Sequence, residues 1–330
     1  MSWLCALNLL NWLLQASFKN RKKRGLELNS NPLVSVVIPL YNGEEFIINT
    51  LKSVLNQTFE KWECLIIDDG STDNSLVEIE KFIKRNENTK IRVISTVNYG
   101  VSAARNTGII NARGKYISLL DQDDIWLPNK LTSQVKLMEE NPHLGGVLCG
   151  FSLSRIVDGI HVPMGSVLSS DMKTLTSGWL SFRGNGALIS STLLFRNDEL
   201  PIYFDPAFSH VSDLDFFLRI QSVYELGYQH DILVYYNQHK NQMHALSHDL
   251  LKEYPLLIDS LDLGDYGFSR KELIGNLYVM CLMLDLKAKD FEQIGLYLVK
   301  ILTNSVLALF SLPLYVLFKR IERHWVRSNN

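Results

Sequence analysis

The chain of 330 residues contains few cysteines and no excess of charge of one sign. Its four cysteines, Cys5, Cys64, Cys149 and Cys281, are far apart, lie in apolar runs and include no CxxC pair. We therefore expect buried free thiols in a reducing compartment and not a disulfide framework. A net charge of −2 provides no overall basic field, so no nucleic-acid partner is expected. With 46% hydrophobic and 21% charged residues, the composition is that of a globular protein.

Long uninterrupted apolar runs are also lacking. Near the N-terminus, residues 3–18 are apolar but span only 16 positions, and a membrane-spanning helix needs roughly 20. The basic run KNRKKR (19–24) follows this segment, whereas a cleavable signal peptide has its positive charges before the apolar run. We expect residues 1–30 to form an amphipathic, membrane-associating segment on an anionic leaflet, with packing on the protein's own core as the alternative.

A second apolar run, residues 301–318, reaches the lower limit of about 17 residues for a membrane span. Polar residues and Pro313 interrupt it, so a spanning helix and an interfacial helix both stay open. Basic residues follow between positions 319 and 327. Basic flanks at both ends predict a domain held at the cytoplasmic face of a membrane, as a peripheral or single-span protein.

Strand-like and helix-like segments alternate from residue 34 to 150, which predicts an α/β domain with a mostly parallel central sheet. The strand segments are VSVVI (34–38), ECLII (63–67), IRVIS (91–95) and YISLL (116–120). We expect Pro39 to end the first strand. The next helix is expected to open at Asn42, with Glu45 as its capping partner.

The second half of the chain has a mixed pattern. Asp158-Gly159, between RIV and IHV, predicts a hairpin turn. ALISSTLLF (187–195) resembles a strand, and residues 213–226 resemble a helix. Residues 241–330 have a mainly helical pattern, so we expect a helical C-terminal extension attached to a domain of residues 31–240.

Acidic residues cluster where predicted strands give way to loops. The clusters are Asp68-Asp69, the DQDD segment at 121–124, and Asp213 with Asp215. In an open α/β sheet, ligands bind outside the carboxyl ends of the strands, and the first two clusters occupy that edge. Adjacent carboxylates raise one another's pKa, so a divalent cation or a ligand rich in hydrogen-bond donors would stabilise them.

Asp121 and Asp123 give the strongest of these signals. Alternate residues beyond a strand end can direct two carboxylates into one pocket and hold Mg²⁺ or Mn²⁺. Such an ion can bridge a diphosphate and neutralise the charge that develops as it leaves. An acidic surface turn is the alternative interpretation. Asp68-Asp69 also has two interpretations, a turn with a helix cap or an acceptor for the N3–H of uracil or thymine.

Two long stretches carry a resemblance to a known family: VSVVIPLYNGEEFIINTLKSVLNQTFEKWECLIIDDGSTDNSL and NYGVSAARNTGIINARGKYISLLDQDD. Together they closely resemble the family 2 inverting glycosyltransferases of the A-type fold. The resemblance covers residues 34–128 and, more weakly, 185–240. It implies a Rossmann-like A-type glycosyltransferase fold, with a nucleotide-binding half at 31–128 and an acceptor half at 129–240. It also implies a hexosyltransferase-type enzyme whose donor is a UDP- or dTDP-linked sugar.

The resemblance implies roles for particular residues. The nucleotide-sugar pocket would be lined by Pro39, Tyr41, Asp68, Asp69, Arg105, Asp121 and Gln122. In the family pattern Asp69 binds the base, Arg105 lies near the diphosphate, and Asp123 is the direct metal ligand. A helix-surface ion pair is an equally good interpretation of Arg105.

Asp213 is predicted to be the general base. The stretch FDPAFSHVSDLDFFLRI resembles a family pattern in which a glutamate and an aspartate open a helix, with Ser212 in place of the glutamate. An inverting transfer is one in-line displacement at the anomeric carbon, and it needs a carboxylate to take the proton of the acceptor hydroxyl. A carboxylate at a helix N-terminus is also stabilised as an anion, so helix capping is the alternative.

Three further residues have family counterparts. His239, in YYNQHKNQM, lies where several relatives complete the metal shell with a histidine, and imidazole suits Mn²⁺ better than Mg²⁺. A purely structural histidine is the alternative. Trp126 is expected either to flank the donor or to pack in the core, and Arg219 to be a structural ion-pair partner.

Two functions of different classes follow from these patterns. The first is a metal-assisted, inverting transfer of a sugar to a hydroxyl of a cell-envelope polysaccharide or lipid-linked acceptor. The alternative is a catalytically inactive, membrane-associated protein that binds a nucleotide sugar, which the missing glutamate at position 212 would support. A nucleotidyltransferase is less favoured, because PLYNGEEF (39–46) has one glycine where a phosphate-binding loop would be glycine-rich.

Overall fold

Most of the central part of the chain is described by a computed structural model. It covers residues 32–304 except for 88–89, 158–159, 169–171, 182–188, 199–201, 240–246 and 289–292. The predicted membrane-associating segment at 1–30, Cys5 and most of the apolar run at 301–318 lie outside the described residues.

Strands and helices alternate through the first half of the chain and give way to helices at its end. The strands are β1 (Val34–Leu40), β2 (Trp62–Asp68), β3 (Ile91–Ser95), β4 (Tyr116–Leu119), β5 (Ile125–Trp126), β6 (Leu144–Val157), β7 (Ile160–Val167), β8 (Leu194–Arg196) and β9 (Glu225–Asn237). The helices are α1 (Ile47–Leu55), α2 (Ser75–Arg85), α3 (Val101–Asn111), α4 (Lys130–Glu140), α5 (Met172–Ser181), α6 (Ser212–Gln221), α7 (Ser247–Asp259), α8 (Arg270–Ala288) and α9 (Ile294–Asn304). Short 3₁₀ helices occupy Ser190–Thr192 and Leu263–Tyr266.

The strands form one sheet in the order β3-β2-β1-β4-β8-β6-β9-β5, with β7 beside β6. The pairs among β1, β2, β3 and β4 are parallel, as is β6 with β9. The short strand β8 joins these two parts by antiparallel pairing with β4 and β6. The predicted α/β architecture with a mostly parallel sheet is therefore confirmed, and so is the helical C-terminal part.

Strand β1 is buried along its whole length because the sheet is covered on both faces. Val36 and Ile38 belong to one hydrophobic cluster and Val37 to the other, which explains a continuous β-branched run instead of an alternating one. The prediction that Pro39 ends the strand is wrong. β4 ends at Leu119, opposite Val37, so the N–H that proline lacks has no ladder partner to lose.

The loop after β1 is longer than the sequence pattern predicted. α1 begins at Ile47 and not at Asn42, and no side chain caps it. Asn42 instead adopts a left-handed conformation with φ 47°, which asparagine tolerates better than most residues. Its side-chain oxygen accepts a hydrogen bond from the N–H of Thr72 at 2.7 Å. The apparent capping residue therefore joins two neighbouring loops.

Two predictions for the second half need correction. The segment expected to be a strand at 187–195 contains the 3₁₀ turn Ser190–Thr192, and among its described residues, from 189 onward, the pairing strand β8 is confined to Leu194–Arg196. The helix expected at 213–226 ends at Gln221, and the chain enters β9 at Glu225. The predicted hairpin is confirmed in its strands, since β6 and β7 pair antiparallel, with the two turn residues outside the described part.

The C-terminal helices share a hydrophobic core with the sheet domain. Val211, Leu214 and Phe217, at and inside the start of α6, belong to the same buried cluster as Tyr254 and Leu257 of α7. Within the described residues, no helix is both long enough and apolar enough to cross a membrane. Through the shared hydrophobic cluster, α7 of the C-terminal extension packs on α6, the helix that carries Asp213.

The described cysteines are buried and unpaired, as predicted. Cys64, Cys149 and Cys281 are free thiols. Burial raises the pKa of Cys149 to about 12, so this thiol stays protonated at neutral pH. Its role is packing.

Gly108 allows α3 to approach β1 closely, and we predict that Gly108→Ala destabilises the fold. A Cβ at this position would lie 2.1 Å from Cγ1 of the buried Val37. Overpacking of this kind typically costs about 1–3 kcal/mol. Urea denaturation should show a loss of that size in the free energy of unfolding.

Gly295 on α9 provides the matched control, because a Cβ there would meet nothing within 4 Å. Gly295→Ala should leave stability unchanged or raise it by up to about 1 kcal/mol, since alanine is the better helix former. Equal effects of the two substitutions would show that the contact with Val37 does not limit the packing of α3.

Candidate active site

The loops after β1 and β4 are joined at the carboxyl edge of the sheet. The side-chain oxygen of Gln122 accepts the N–H of Tyr41 at 2.9 Å, and its amide donates to the carbonyl of Tyr41 at 3.1 Å. Thr50 of α1 donates to the carbonyls of Gln122 and Asp124. Tyr41 itself is 47% exposed, so its ring is accessible while its backbone is fixed. Pro39 lies in β1, directly before this loop.

Asp68 is the last residue of β2, Asp69 follows it, and both are buried. One oxygen of Asp68 accepts the N–H of Ser71 at 3.0 Å, which forms the predicted turn. The two oxygens of Asp69 accept the N–H groups of Tyr99 and Gly100 at 2.9 and 2.8 Å, at the entrance to α3. The hydroxyl of Thr96 also donates to Oδ1 of Asp69, at 3.5 Å. Each carboxylate oxygen has two lone pairs, so these contacts leave one lone pair on Oδ2 of Asp69.

Asp123 and His239 meet beside the loop after β1. Oδ2 of Asp123 lies 2.7 Å from Nε2 of His239, and the imidazole stacks on Phe46 with ring centroids 4.4 Å apart. Nδ1 of His239 is buried without a hydrogen-bond partner. Both side chains retain 19% of their exposure. The structure therefore brings together the two residues predicted to bind a metal.

These residues also fit a divalent cation by their chemistry. A carboxylate and an imidazole are a reasonable donor pair for Mn²⁺ and a weaker one for Mg²⁺. Among the described residues, no group of three or more His, Cys, Asp or Glu side chains could hold an ion by itself. A cation here would therefore take its other ligands from water or from substrate phosphates, as is usual for Mg²⁺-type sites.

Arg105 joins the other two predicted carboxylates. Its guanidinium donates to Oδ1 of Asp121 at 2.7 Å and to Oδ1 of Asp213 at 2.8 Å, and its side chain is 5% exposed. Burial raises the pKa of Asp121, and the charges of Asp213 and Asp123 add to this shift while Arg105 opposes it. The ion pairs hold the carboxylate that follows β4 and the carboxylate at the start of α6 in one site.

The turn Ser190–Thr192 supports the same carboxylates, and the sequence patterns did not reveal it. The N–H of Ser190 donates to Oδ2 of Asp213 at 2.9 Å. The hydroxyl of Ser191 accepts the N–H of Asp121 at 3.0 Å and donates to Asp124 at 2.5 Å. The available signal was the hydroxyl-rich triplet SST inside an apolar run.

Asp124 is a buried carboxylate behind this site. It is fully inaccessible and accepts hydrogen bonds from Ser191 and from the N–H of Asn237. Burial raises the pKa of Asp124 well above its usual range, and the charges of Asp123 and Asp121 raise it further. Asp124 therefore ties the turn at 190–192 to the end of β9 and does not face the cleft.

The buried Lys130 supports the turn Ser190–Thr192 indirectly, through two neighbouring side chains. Nζ of Lys130 donates to the Ser118 hydroxyl at 2.9 Å and to the Gln134 side-chain oxygen at 2.8 Å. Ser118 in turn donates to the carbonyl of Leu193, and Gln134 donates to the carbonyl of Thr192. Burial lowers the pKa of Lys130 to about 7. Lys130 thus organises both side chains that hold the end of the turn.

A cleft of about 600 Å³ opens beside the Asp123–His239 pair. Its lining residues are Tyr41, Asn42, Glu44, Glu45, Phe46, Asp73, Gln122 and His239. No lysine or arginine is among these described lining residues, and three of them are acidic. The aromatic and acidic wall is therefore unsuited to bind a bare diphosphate without a cation.

Two other residues have structural roles. Trp126 is 2% exposed and its indole N–H donates to the carbonyl of Ser191 at 2.9 Å, which supports the core-packing interpretation. Arg219 pairs with Asp215 at 2.7 Å and with Asp205 at 3.2 Å. The predicted structural ion pairing of Arg219 is confirmed.

Comparison with known proteins identifies the segment that contains most of this site. Residues 35–159 match the profile of the family described as glycosyl transferase family 2. The UDP-Glc:alpha-D-GlcNAc-diphosphoundecaprenol beta-1,3-glucosyltransferase WfgD of Escherichia coli is 40% identical over 111 residues, which are 33% of this chain and 42% of that protein. The chain spans less than half the length of the curated relatives that it matches at 37–48% identity.

Solved structures share the fold at low sequence identity. Residues 1–349 of TarS from S. aureus, in complex with UDP-GlcNAc, superpose with a TM-score of 0.54 at 21% identity, covering 80% of this chain and 75% of that one. The mannosyltransferase PcManGT from Pyrobaculum calidifontis, in complex with GDP-Man and Mn²⁺, gives 0.56 at 16% identity, covering 98% and 94%. The chain therefore shares the A-type glycosyltransferase fold of these structures, and its residues 35–159 are similar to glycosyl transferase family 2.

The buried amine of Lys130 predicts a specific pH dependence of stability. Its pKa is about 7 in the folded protein and about 10.4 when exposed, so the unfolded chain binds nearly one more proton between these values. Stability gained from this group must then rise with pH across that window, by at most about 1.4 kcal/mol per pH unit. Urea denaturation of wild type and Lys130→Met between pH 7.5 and 9 should show profiles that diverge by roughly 1 kcal/mol per unit.

Lys136 on the same helix is the matched control, since its side chain is 72% exposed. Lys136→Met should give a profile parallel to that of wild type. A parallel profile for Lys130→Met as well would mean that Lys130 keeps an ordinary pKa in the folded protein.

Proposed function

We propose that this chain is a family 2 glycosyltransferase that moves a sugar, with inversion, from a UDP- or dTDP-linked donor to a hydroxyl of a cell-envelope polysaccharide or lipid-linked acceptor. The observation that carries the proposal is the double ion pair of Arg105 with Asp121 and Asp213. It places the carboxylate expected on the donor side and the carboxylate expected to act as base in a single site.

The donor side of the proposal rests on the edge of the sheet next to the cleft. Tyr41 presents an exposed ring there, and Gln122 fixes the backbone that carries it. Asp69 keeps one lone pair, on Oδ2, for the N3–H of a pyrimidine base, and Asp68 holds the turn beside it. Complexes of structurally similar proteins with UDP-GlcNAc and GDP-Man support a nucleotide sugar as the ligand.

We further propose that Asp123 and His239 hold Mn²⁺ or Mg²⁺ together with the donor phosphates. When bound, the cation would supply charge neutralisation for the leaving diphosphate. The arrangement of this chain's own residues supports the assignment, because the cleft lining contains acidic and aromatic side chains and no lysine or arginine among its described members. The Mn²⁺ in the complex of PcManGT is consistent with it.

Asp213 is the proposed general base. It lies in the first turn of α6 and keeps 20% of its side-chain exposure. Arg105 and the N–H of Ser190 each occupy one position on its two oxygens, and a carboxylate has about four such positions. The free positions can take the proton of an acceptor hydroxyl as the oxygen of that hydroxyl bonds to the anomeric carbon and the nucleoside diphosphate leaves from the opposite face.

The acceptor and the location are proposed from the C-terminal part and from a relative. Helix α9 exposes Leu296, Leu298, Val299 and Leu302 to solvent, each by 40% or more. An apolar helix face followed in sequence by an apolar run and basic residues fits a membrane surface. The acceptor in the name of WfgD, alpha-D-GlcNAc-diphosphoundecaprenol, supports a lipid-linked acceptor. The location proposed for the transfer is the cytoplasmic face of a membrane.

The alternative function, binding without catalysis, predicts a different set of results. Ser212 donates to the carbonyl of Ser209 at 3.0 Å and is buried, so it offers no carboxylate to the acceptor. An inactive binding protein would bind UDP or dTDP with Mn²⁺ but release no nucleoside diphosphate from any UDP- or dTDP-linked sugar. The transferase releases it, at least slowly, with water in place of the acceptor.

The role of Asp213 is tested by Asp213→Asn. An amide cannot accept the proton, and loss of a general base typically costs about 10²–10⁴-fold in rate. We expect release of UDP or dTDP to fall by at least 100-fold, while calorimetric binding of the free nucleotide with Mn²⁺ stays within about twofold of wild type. Wild-type turnover in Asp213→Asn would remove Asp213 as the base.

The metal assignment is tested by Asp123→Ala. Wild-type protein should bind UDP or dTDP at least 10-fold more tightly with Mn²⁺ than with EDTA, and Asp123→Ala should lose this difference because one of two protein ligands is gone. Asp231→Ala, which changes an exposed carboxylate on β9, is the control and should keep it. Full Mn²⁺ dependence in Asp123→Ala would exclude Asp123 as a ligand.

A further inference from the structure

A single carboxylate from the C-terminal extension accepts hydrogen bonds from the segment that leads into α6. Oε2 of Glu253, on α7, accepts the N–H groups of Ser209, His210 and Val211 at 3.0, 2.7 and 3.1 Å. Oε1 accepts the Ser209 hydroxyl at 2.7 Å. The Glu253 side chain is 14% exposed. Three successive N–H groups that converge on one oxygen form a local anion site.

The electrostatics of this contact favour the ionised form. Burial would raise the pKa of Glu253, but the hydrogen bonds from Ser209, Val211 and His210 outweigh it and hold the pKa below its ordinary value. Hydrogen bonds to an ionised acceptor are roughly twice as strong as those between neutral groups. The backbone of residues 209–211 is therefore fixed to α7 by several strong bonds at one point.

The fixed segment ends where the predicted base begins. Val211 directly precedes α6, and its carbonyl accepts the N–H of Asp215 in the first turn, the turn that contains Asp213. On the other side, Ser102 of α3 donates to the carbonyl of Phe208 at 2.7 Å. The approach to α6 is thus held between α3, which carries Arg105, and α7.

Apolar packing alone would not fix this backbone. Tyr254 and Leu257 bury α7 in the core cluster shared with α6, but apolar contacts are non-directional. The carboxylate adds direction, because each N–H must point at the oxygen that accepts it. Displacement of a reacting group by about 1 Å can cost roughly 100-fold in rate, so directional support next to Asp213 has a catalytic consequence.

We propose that Glu253 is a positioning residue for Asp213, through which the C-terminal extension completes the transferase site. This inference rests on the proposed function in its catalytic part, and on the geometry alone in its structural part. It assigns the extension a role in the reaction in addition to any role at a membrane.

The test uses three variants of the full chain. Glu253→Ala removes every acceptor. Glu253→Gln keeps the shape and one carbonyl oxygen for the backbone N–H groups, so it also guards against a general loss of folding. Asp259→Asn is the control, since Asp259 lies on the same helix in an exposed ion pair with Arg270.

Three measurements are made on each variant. Backbone amide hydrogen exchange over residues 209–215 reports how firmly the segment leading into α6 and the first turn of α6 are held. Calorimetry reports the affinity for UDP with Mn²⁺. Release of UDP from UDP-glucose and UDP-GlcNAc, with kcat and donor KM determined separately, reports the reaction.

We expect Glu253→Ala to raise amide exchange at 209–215 by at least 10-fold and to lower kcat by roughly 10–100-fold, with UDP affinity and donor KM within about twofold of wild type. Glu253→Gln should recover most of the kcat, and Asp259→Asn should match wild type throughout. A drop in kcat without recovery by glutamine, or equal losses in Asp259→Asn, would overturn the proposal.

Failure of this inference and failure of the proposed function give different results. Unchanged kcat in Glu253→Ala, with active wild-type protein, overturns the inference and leaves the transferase function intact. Absence of turnover in the wild type contradicts the proposed function. In that case exchange at 209–215 decides the structural part, and wild-type exchange in Glu253→Ala overturns it.

Discussion

The guanidinium of Arg105 neutralises two carboxylates that would otherwise repel each other in a poorly solvated site. Asp121 follows β4 and Asp213 opens α6, and Arg105 lies 108 positions before Asp213 in the chain. Breaking a buried ion pair by removal of one partner typically costs about 3–5 kcal/mol. The ion pairs therefore link α3 both to the loop after β4 and to the start of α6, and the proposed chemistry depends on this link.

The positive charge of Arg105 is already neutralised by these two carboxylates. The described lining of the cleft adds Glu44, Glu45 and Asp73 and contains no lysine or arginine. A diphosphate that enters such a site needs positive charge from elsewhere, and a cation held by Asp123 and His239 would provide it. The acidic lining of the cleft and the Asp123–His239 pair at its edge are thus two separate arguments for a cation at this site.

The first part of the sheet could be predicted because β1 to β4 are short, apolar and bounded by polar turns. β3 matches its predicted bounds, and β2 and β4 differ from theirs by a residue at one or both ends. The errors occur where tertiary contacts override local signals. Pro39 continues β1 because the neighbouring strand has already ended, and Asn42 serves a loop contact instead of a helix cap.

The acidic residues of the candidate site could be predicted from the sequence. The residues that hold them in place could not. Carboxylates beyond strand ends are visible as motifs, and the family resemblance gave them roles. The supports come from distant parts of the chain and have no motif. Ser190 and Ser191 lie in a segment predicted to be a strand, and no sequence pattern singled out Lys130 or Glu253. Only their partners reveal them.

The missing side chain of Gly108 has a consequence beyond stability. Gly108 lies one helical turn after Arg105, on the same side of α3, and the helix axis can approach β1 only as far as its smallest residue permits. The distance between α3 and the sheet sets the position of the Arg105 Cα. It therefore also sets the position that the guanidinium can occupy. A change of about one atomic diameter in this spacing would move the guanidinium relative to both Asp121 and Asp213. Gly108 therefore helps to set the geometry of both ion pairs of Arg105.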